Sequence, residues 1–286
     1  MIPHVHVIGA SGRSGQALCR ALLASGASYT PVVRDAGRWA MTGLPGVARV
    51  ADLTGDMRPA LEGAVRIASC AHARHIPAIL AASPAESHVF LGSTRKFTAW
   101  PDAHGNGVLA GEAAFLASGR PGVLLHPTMI YGAAGEDNVQ RLAALLRRLP
   151  LVPLPDGGRA LVQPIYQGDV TRCLTAALAR KWDGPQTVVI AGPDALPYAD
   201  FVKAVARAAG LAAPRLMNAP AWLLRLALPF TRLPGLPRVR ADELRRLLED
   251  KAFPVEPMQA LLGVRAISHE QGLRLTFEAT GSVRQI

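Results

Sequence analysis

A glycine-rich turn between a short strand and a helix, all within the first 26 residues, most constrains the fold of this chain. Residues 5–8 predict a buried strand, and apolar residues at helical spacing follow from Ala17 to Leu22. Gly9, Gly12 and Gly15 stand between them. Such glycines permit a tight turn, bring backbone N–H groups close to a pyrophosphate and let the helix pack against the strand. The order predicts a dinucleotide site at a helix N-terminus, although the spacing is Gly-x-x-Gly-x-x-Gly; a turn without a ligand is the alternative.

The end of the second predicted strand, residues 28–33, decides which dinucleotide is expected. The ribose of the adenosine half meets the chain at this point. An acid here favours NAD because it accepts from both ribose hydroxyls, whereas an arginine favours the 2′-phosphate of NADP. Arg34 takes the terminal position and Asp35 is its rival, with Arg13 and Arg38 as further cations. The sequence therefore favours NADP(H) over NAD(H) as the cofactor.

Alternating strands and helices extend this pattern along most of the chain and predict an α/β fold. We expect a Rossmann-type, doubly wound parallel sheet with a small, mainly helical C-terminal lobe. The expected division is a dinucleotide-binding domain at 1–212, with substrate-lobe insertions after about residue 130, and a lobe at 213–286 that covers the cleft. Further strands are predicted at 47–51, 65–69, 88–91, 123–126 and 187–190, and helices at 56–61, 76–82, 111–118, 137–148, 170–179 and 199–209.

Residues that follow the carboxyl ends of parallel strands are expected beside the cofactor, because ligands bind at that edge of an open sheet. Asp52 and Leu53 follow the third strand, and Ala71 follows the fourth. The Asp52 carboxylate is expected either to accept a hydrogen bond from the adenine amino group or to cap the next helix. The full set expected to bind the cofactor is Gly9, Ser11, Gly12, Arg13, Ser14, Gly15, Arg34, Asp52, Leu53, Ala71 and Pro127.

The net charge of +10 raises the question of an anionic partner. It is carried by 27 arginines and only four lysines. These residues are scattered, without a basic run or interleaved aromatic side chains, so nucleic-acid binding is not expected.

The cysteines and histidines do not predict a metal site. Cys19, Cys70 and Cys173 are an odd number in apolar stretches, as expected of reduced core residues in the cytosol. His72 and His75 lack a further ligand at metal-binding spacing. The first strand begins too close to the initiator methionine for a signal peptide, and no apolar run reaches the roughly 18 residues of a membrane span. We therefore expect a cytoplasmic protein without a transmembrane segment.

An apolar segment at 221–228, which includes Trp222, is the candidate for contact with a partner. We expect this segment to cover the substrate cleft. The alternative is a helix that binds a membrane surface or another protein. The oligomeric state is not predicted.

Several motifs together carry a family resemblance. They are Val-Ile-Gly-Ala-Ser-Gly-Arg-Ser-Gly, Val-Val-Arg-Asp, Ala-Asp-Leu-Thr, Leu-Gly-Ser-Thr, His-Pro-Thr-Met-Ile-Tyr-Gly and Gln-Gly-Asp-Val. The chain resembles the atypical short-chain dehydrogenases/reductases, in the NAD-dependent epimerase/dehydratase or NmrA-like branch. It is also similar to the Rossmann-fold accessory subunit of respiratory complex I. The likeness covers most of the chain and implies the fold, without specifying a substrate.

The resemblance implies a serine after the fifth strand and a Tyr-x-x-x-Lys on the next helix, where the lysine lowers the pKa of the tyrosine. Ser93 or Thr94 matches the serine, but no Tyr-x-x-x-Lys is present. Anchored on Glu112, the tyrosine position falls at His104 and the lysine position at Val108. The candidate catalytic residues are therefore Ser93, Thr94 and His104, with a solvated histidine in a glycine-rich loop as the alternative for His104.

Two functions follow from these observations. The first is an NADP-dependent oxidoreductase of the epimerase/dehydratase type with a degenerate Tyr-x-x-x-Lys site, acting on an unknown small molecule between the strands' carboxyl ends and the C-terminal lobe. Lys96, three residues after Ser93, and Tyr131, in the loop after the sixth strand, could also reach this groove, but a structural role is expected for each. The second is a non-catalytic dinucleotide sensor or an assembly protein.

Overall fold

The computed structural model describes residues 2–132, 138–149, 151–220, 222–223, 245 and 247–283. The chain divides into two compact units. The first unit comprises Met1–Thr128, Gln167–Ile190 and Val255–Arg265, and the second comprises Met129–Tyr166, Ala191–Pro254 and Ala266–Ile286. This division differs from the expected single boundary at residue 212. The chain passes between the units repeatedly, because late segments return to complete the first unit.

The strands and helices alternate as the sequence predicts. The strands are β1 (Val5–Ile8), β2 (Tyr29–Val33), β3 (Arg49–Val50), β4 (Arg66–Ser69), β5 (Ser87–Leu91), β6 (Gly122–Pro127), β7 (Ile130–Tyr131), β8 (Leu151–Pro155), β9 (Leu161–Val162), β10 (Ile165–Tyr166), β11 (Pro185–Ile190), β12 (Leu196–Pro197) and β13 (Arg215–Ala219). The helices are α1 (Arg13–Ala24), α2 (Ala36–Ala40), α3 (Arg58–Leu61), α4 (Ile76–Ala82), α5 (Ala103–Ala117), α6 (Asn138–Arg148), α7 (Gln167–Ala179), α8 (Tyr198–Ala208), α9 (Glu256–Leu262) and α10 (His269–Val283). Short 3₁₀ helices lie at Ala73–His75, Thr94–Phe97 and Asp156–Gly158.

The first unit is built on a seven-stranded sheet in the order β11-β6-β5-β4-β1-β2-β3. All of its pairings are parallel. β1 lies between β4 and β2, where the strand order reverses, and Ile8 is opposite both Val32 and Ser69. This is the doubly wound Rossmann arrangement that the sequence predicts, and ligands of such sheets bind at this reversal.

An apolar core fills the first unit on the side of the sheet that α4 and α5 cover. Ile8, Ile67 and Phe90 from the strands contact Ile79 and Phe115 from the helices, and all five are buried. Strands buried on both faces read as continuous apolar runs, which is why β1, β4 and β5 are recognisable in the sequence.

Helix α5 begins at Ala103, although the sequence predicts a glycine-rich loop at 102–107 and a helix only at 111–118. Its glycines serve close packing instead of a turn. A Cβ on Gly105 would lie 2.8 Å from the Arg95 carbonyl oxygen, and one on Gly111 would overlap the Ala73 carbonyl oxygen. Asp102 caps the helix by accepting from the Gly105 N–H at 2.8 Å. The helix therefore pairs with two 3₁₀ helices at a distance that only glycine permits.

The second unit has a separate core and three two-stranded sheets, β10-β7, β12-β9 and β13-β8. Val139 of α6, Phe201 and Val205 of α8 and Leu273 of α10 pack around buried Tyr131. None of the strands β7, β8, β9, β10, β12 and β13 was predicted. Most of them have two residues, β8 contains two prolines of an expected crossing, and β13 is half-exposed, so these segments carry little periodicity. The segment at 221–228 lies outside the described residues except for Trp222 and Leu223, which are both exposed.

Gln163 organises buried backbone groups of the second unit and yields a stability prediction. Its Nε2 donates to the carbonyl oxygens of Gly192 at 2.9 Å and Phe253 at 3.2 Å, and its Oε1 accepts from the Phe253 N–H at 2.7 Å. Gln163→Leu keeps the volume but removes these three hydrogen bonds. We expect the free energy of unfolding to fall by about 2–3 kcal/mol in urea titrations followed by circular dichroism. The matched change on an exposed surface, Gln271→Leu, should alter it by less than about 0.5 kcal/mol. Equal stabilities of the two variants would contradict this role.

Candidate active site

The glycine turn after β1 has the geometry of a phosphate-binding loop. Gly9 has φ +75°, which places it in the left-handed region, and its N–H donates to the Val32 carbonyl at 2.9 Å. A Cβ on Gly15 would overlap the Gly9 carbonyl oxygen and stand 2.8 Å from the Ala10 Cα. Gly12 is the N-cap residue, and its N–H donates to the Gly9 carbonyl at 2.9 Å. The turn is thus tight, and the first turn of α1 is held directly against the end of β1.

The N-terminus of α1 suits an anion. No side chain caps it, and its first turn, with Arg13 and Ser14, contains no acidic residue. The positive end of the helix macrodipole is therefore not neutralised by a carboxylate of this turn. The Ser11 carbonyl accepts from Gln16 Nε2 at 3.0 Å, and Ser14 Oγ donates to Gln167 Oε1 at 3.3 Å. This helix terminus therefore suits an anionic group such as the pyrophosphate of a dinucleotide.

Arg34 and Asp35, the two candidates for contact with the adenosine ribose, have different surroundings at the end of β2. Asp35 is the N-cap of α2, and its Oδ1 accepts from the N–H groups of Gly37 at 2.8 Å and Arg38 at 3.2 Å. This carboxylate is thus engaged in holding a helix. Arg34 is exposed and close enough to Asp52 for its charge to lower the pKa of that carboxyl. Arg34 therefore offers an exposed cation at this strand end, next to a carboxylate that caps a helix.

Asp52 stabilises a turn and does not cap a helix. Its Oδ1 accepts from the Thr54 N–H at 2.9 Å and the Thr54 hydroxyl at 2.8 Å, and these bonds are the main cause of its lowered pKa. Helix α3 begins only at Arg58, so the predicted capping role of Asp52 is wrong. Leu53 and Ala71 both pack partly buried against the core of the first unit.

Ala71 lies beside the glycine turn, where β4 ends. A Cβ on Gly9 would stand 3.2 Å from the Ala71 N atom, so the two loops are in direct contact. The Cys70 N–H donates to the Ile8 carbonyl at 2.9 Å and extends the β1–β4 pairing up to this point. The structure thus brings the predicted residues of the first and fourth loops together.

Ser93 and Thr94 form the turn after β5. Ser93 Oγ accepts from the Arg95 N–H at 3.1 Å and caps the 3₁₀ helix Thr94–Phe97. Thr94 Oγ1 donates to the Pro127 carbonyl at 3.1 Å, which ties this turn to the end of β6. Both hydroxyls therefore lie at the carboxyl edge of the sheet, and that of Thr94 uses its proton on the backbone.

His104 lies in the first turn of α5 and not in a loop. It is exposed, and its ring meets that of His72 edge to face, with centroids 4.3 Å apart. His72 Nδ1 accepts from the Arg74 N–H at 3.1 Å. Burial, followed by the nearby His104 and Arg74, lowers the pKa of His72 to about 4, so His72 is neutral at pH 7. Val108, at the family's lysine position, is buried in the core and offers no charge.

Three residues that the sequence analysis left apart meet behind this turn. Lys96 Nζ lies 2.5 and 2.6 Å from the two carboxylate oxygens of Glu112, and His126 Nε2 lies 3.5 Å from Glu112 Oε1. Lys96 comes from the 3₁₀ helix, Glu112 from α5 and His126 from β6. The sequence places Lys96 near the groove but does not predict its pairing with Glu112. The two residues are 16 positions apart, and the helix that carries Glu112 was predicted too short, so no helical spacing connects them.

Two further kinds of side chain bear on the chemistry of the described residues, the metal-ligating groups and the thiols. Among the described residues, no three histidine, cysteine, aspartate or glutamate side chains are close enough together to hold a metal ion. Burial raises the pKa values of Cys19, Cys70 and Cys173 to about 12, so their thiols are protonated at neutral pH. None of the described helices is both long enough and apolar enough to cross a bilayer.

Comparison with known proteins places the fold. No family model matches the chain, and no curated protein matches it either. MoeE5 in complex with UDP-glucose and NAD is similar in structure, with a TM-score of 0.71, 19% identity, and coverage of 98% of this chain and 99% of that one. UDP-glucuronic acid 4-epimerase from Bacillus cereus gives a TM-score of 0.73 at 16% identity over 98% of this chain and 99% of that chain. The NADPH-dependent quinone oxidoreductase QOR2 from Escherichia coli gives 0.72 at 16% identity over 94% and 98%. At these identities the likeness shows the fold.

Proposed function

We propose that this chain is a nicotinamide-dinucleotide-dependent oxidoreductase of the epimerase type, with NADP(H) as its cofactor. One observation carries the proposal: the glycine turn stands at the strand-order reversal and leads into an uncapped helix N-terminus. Gly9, Gly12 and Gly15 each occupy a position where a side chain would strain or block that turn. The similar structures named above contain NAD or NADPH according to their descriptions, which agrees with this interpretation.

The preference for NADP(H) rests on Arg34. The Asp35 carboxylate caps α2, so the acid that would select the ribose hydroxyls of NAD is already hydrogen-bonded to the backbone. Arg34 is exposed at the end of β2, and a guanidinium pairs well with the 2′-phosphate of NADP.

The residues of the first unit would divide the cofactor between them. The turn Gly9–Gly15 and the N-terminus of α1 would hold the pyrophosphate, and Ala71 would lie beside it. The bound dinucleotide supplies hydride chemistry. Ser93, at the carboxyl edge of the sheet, would orient a substrate oxygen through its hydroxyl. The sugar nucleotides and the quinone oxidoreductase named among the similar structures make quinones the first hydride acceptors to test with NADPH, and UDP-sugars the first hydride donors to test with NADP⁺.

Calorimetric titration of the purified protein with NADPH, NADP⁺, NADH and NAD⁺ tests the cofactor assignment. We expect the phosphorylated forms to bind more tightly. Arg34→Ala should weaken NADPH binding about 10–100-fold and NADH binding less than about 3-fold, because a charge-assisted bond to phosphate is worth about 1.5–3 kcal/mol. Arg20→Ala is the matched control, since Arg20 lies on the exposed side of α1 and bonds to Gln16. Equal losses for NADPH and NADH would rule out a 2′-phosphate contact at Arg34.

A second candidate is a non-catalytic dinucleotide sensor, and the buried Val108 favours it. A valine at this position provides neither a ribose contact nor a charge that lowers the pKa of a neighbouring acid. The two candidates separate in assays of hydride transfer, with quinones as acceptors from NADPH and UDP-sugars as donors to NADP⁺. Tight dinucleotide binding without turnover would favour the sensor, whereas turnover would exclude it.

A further inference from the structure

A cluster of Lys96, Glu112 and His126 lies at the carboxyl ends of β5 and β6, and the functions described above do not use it. The Lys96 ammonium contacts both oxygens of the Glu112 carboxylate at 2.5 and 2.6 Å. The His126 ring lies on the other side of the same carboxylate, with Nε2 3.5 Å from Oε1. One carboxylate thus connects an amine and an imidazole that come from different elements.

The cluster is withdrawn from water. The side chains of Lys96, Glu112 and His126 are 10%, 13% and 1% exposed. By contrast, the surface pair Lys203–Asp200 is about half exposed on both sides. Removing an ammonium and a carboxylate from water costs free energy that their attraction rarely repays in full. Ion pairs kept in such surroundings occur more often at functional sites than an exposed pair does.

His126 is buried and makes only long polar contacts. Its Nε2 lies 3.5 Å from Glu112 Oε1, and the Ser93 backbone lies beside the ring. A Cβ on Gly92 would stand 2.5 Å from Nδ1, so the turn that leads to Ser93 packs directly on the ring. The ring is therefore fixed by packing next to the carboxylate that binds Lys96.

The charges around His126 oppose each other. Lys96 faces the ring from the 3₁₀ helix Thr94–Phe97, Glu112 faces it from α5, and the backbone of Ser93 lies beside it. Burial, followed by the Lys96 charge, lowers the pKa of His126 to about 4, while Glu112 and the Ser93 backbone act in the opposite direction. Burial and the positive charge of Lys96 both keep the His126 ring neutral. Loss of a proton from Lys96 removes the second of these effects and therefore favours protonation of His126.

We propose that Lys96 is the proton donor of the enzyme to a substrate oxygen, and that Glu112 and His126 are positioning residues that hold its ammonium at the carboxyl edge of the sheet. This inference rests on the proposed oxidoreductase function. When a substrate carbonyl carbon receives hydride from reduced nicotinamide, the C=O π electrons move to oxygen. The Lys96 N–H bond breaks as the new O–H bond forms, and Lys96 is left neutral. A proton from water then returns to Nζ, which restores the starting charges.

The first test follows the titration of His126 by NMR of histidine-labelled protein, with His126→Gln to assign the signal. In Lys96→Met the His126 titration midpoint should rise by about 2 units, because the ring then faces the Glu112 carboxylate alone. In Lys96→Arg, which keeps the charge, the midpoint should stay near the wild-type value. Lys203→Met, which breaks the exposed pair with Asp200, is the control and should leave it unchanged. An unmoved midpoint in folded Lys96→Met would overturn the proposal, and no substrate is needed to see it.

The second test compares turnover of NADPH with a carbonyl acceptor. Lys96→Met should lower kcat about 100-fold while the KM for NADPH changes less than about 3-fold. Lys96→Arg keeps the charge and the pairing with Glu112 but does not release a proton near neutral pH, so it should be as slow as Lys96→Met. Recovery of kcat in Lys96→Arg would show a structural role only and would overturn proton donation. Failure of the wild type to bind any dinucleotide would instead refute the proposed function, while the His126 titration would still report on the cluster.

Discussion

Gly15→Ala will abolish dinucleotide binding and lower the free energy of unfolding by about 3 kcal/mol, a value at the upper end for overpacking a rigid site. The added methyl group would overlap the Gly9 carbonyl oxygen and press on the Ala10 Cα. All of these atoms belong to the backbone, so no side chain can turn aside to make room. Helix α1 must move away from β1, and the turn that would hold the pyrophosphate is widened. Urea unfolding and calorimetry with NADPH measure the two effects separately.

Gly26→Ala is the matched control for this change. Gly26 follows the same helix with φ +72°, but no atom lies within 4 Å of a Cβ built on it. Alanine there should cost about 1 kcal/mol through backbone strain alone and leave the affinity for NADPH unchanged. If Gly15→Ala bound NADPH as tightly as the wild type, the glycine turn would not be the phosphate site.

This protein will lose stability between pH 6.5 and about pH 4, and buried histidines will account for much of the loss. Burial lowers the pKa values of His6, His88 and His126 from 6.5 to about 4. The unfolded chain takes up protons below pH 6.5, whereas the folded protein does not until about pH 4, so the free energy of unfolding falls across this window. Each histidine contributes at most about 3 kcal/mol. Urea midpoints measured at half-unit pH steps give the slope.

His88 offers the cleanest test of that slope. It is fully buried, and its Nε2 lies 2.8 Å from Ser83 Oγ. His88→Gln should reduce the difference in unfolding free energy between pH 7 and pH 4.5 by about 2 kcal/mol, because glutamine does not titrate. Ser83→Ala removes the same contact and keeps the imidazole, so it should lower stability similarly at both pH values. An unchanged slope in His88→Gln would mean that other groups cause the loss of stability in acid.

The Rossmann core was predictable because its signals are local. β1, the glycine turn and α1 follow each other within 20 residues, and the sequence predicts α4 with the bounds Ile76–Ala82 that the structure has. Strand ends deviated by one or two residues, as at β3 and β11, where the hydrogen bonds of a neighbouring strand decide where pairing stops. The pattern of apolar runs contains this information only approximately.

The candidate active site was less predictable because its contacts are distant in sequence. Gly105 and Gly111 look like loop residues until the carbonyl groups of Arg95 and Ala73 are placed against them. The role of Asp35 depends on where α2 begins, and a five-residue helix has almost no periodicity. Lys96, Glu112 and His126 meet only through the packing of three separate elements. Contacts between side chains this far apart in sequence cannot be inferred from composition or from residue spacing.

The interleaving of the two units determines when the sheet of the first unit can be completed during synthesis. β11 is the outermost strand of the seven-stranded sheet and pairs with β6 from Gly122 to Pro127. Until residue 190 has left the ribosome, β6 is an open edge whose backbone groups are available to any other extended chain. α7 and α9, which belong to the same unit, follow β6 by 40 and by more than 120 residues. A nascent chain stopped in the segment 129–166 therefore carries an unfinished sheet, and protection of that edge during synthesis comes only with the late return of β11.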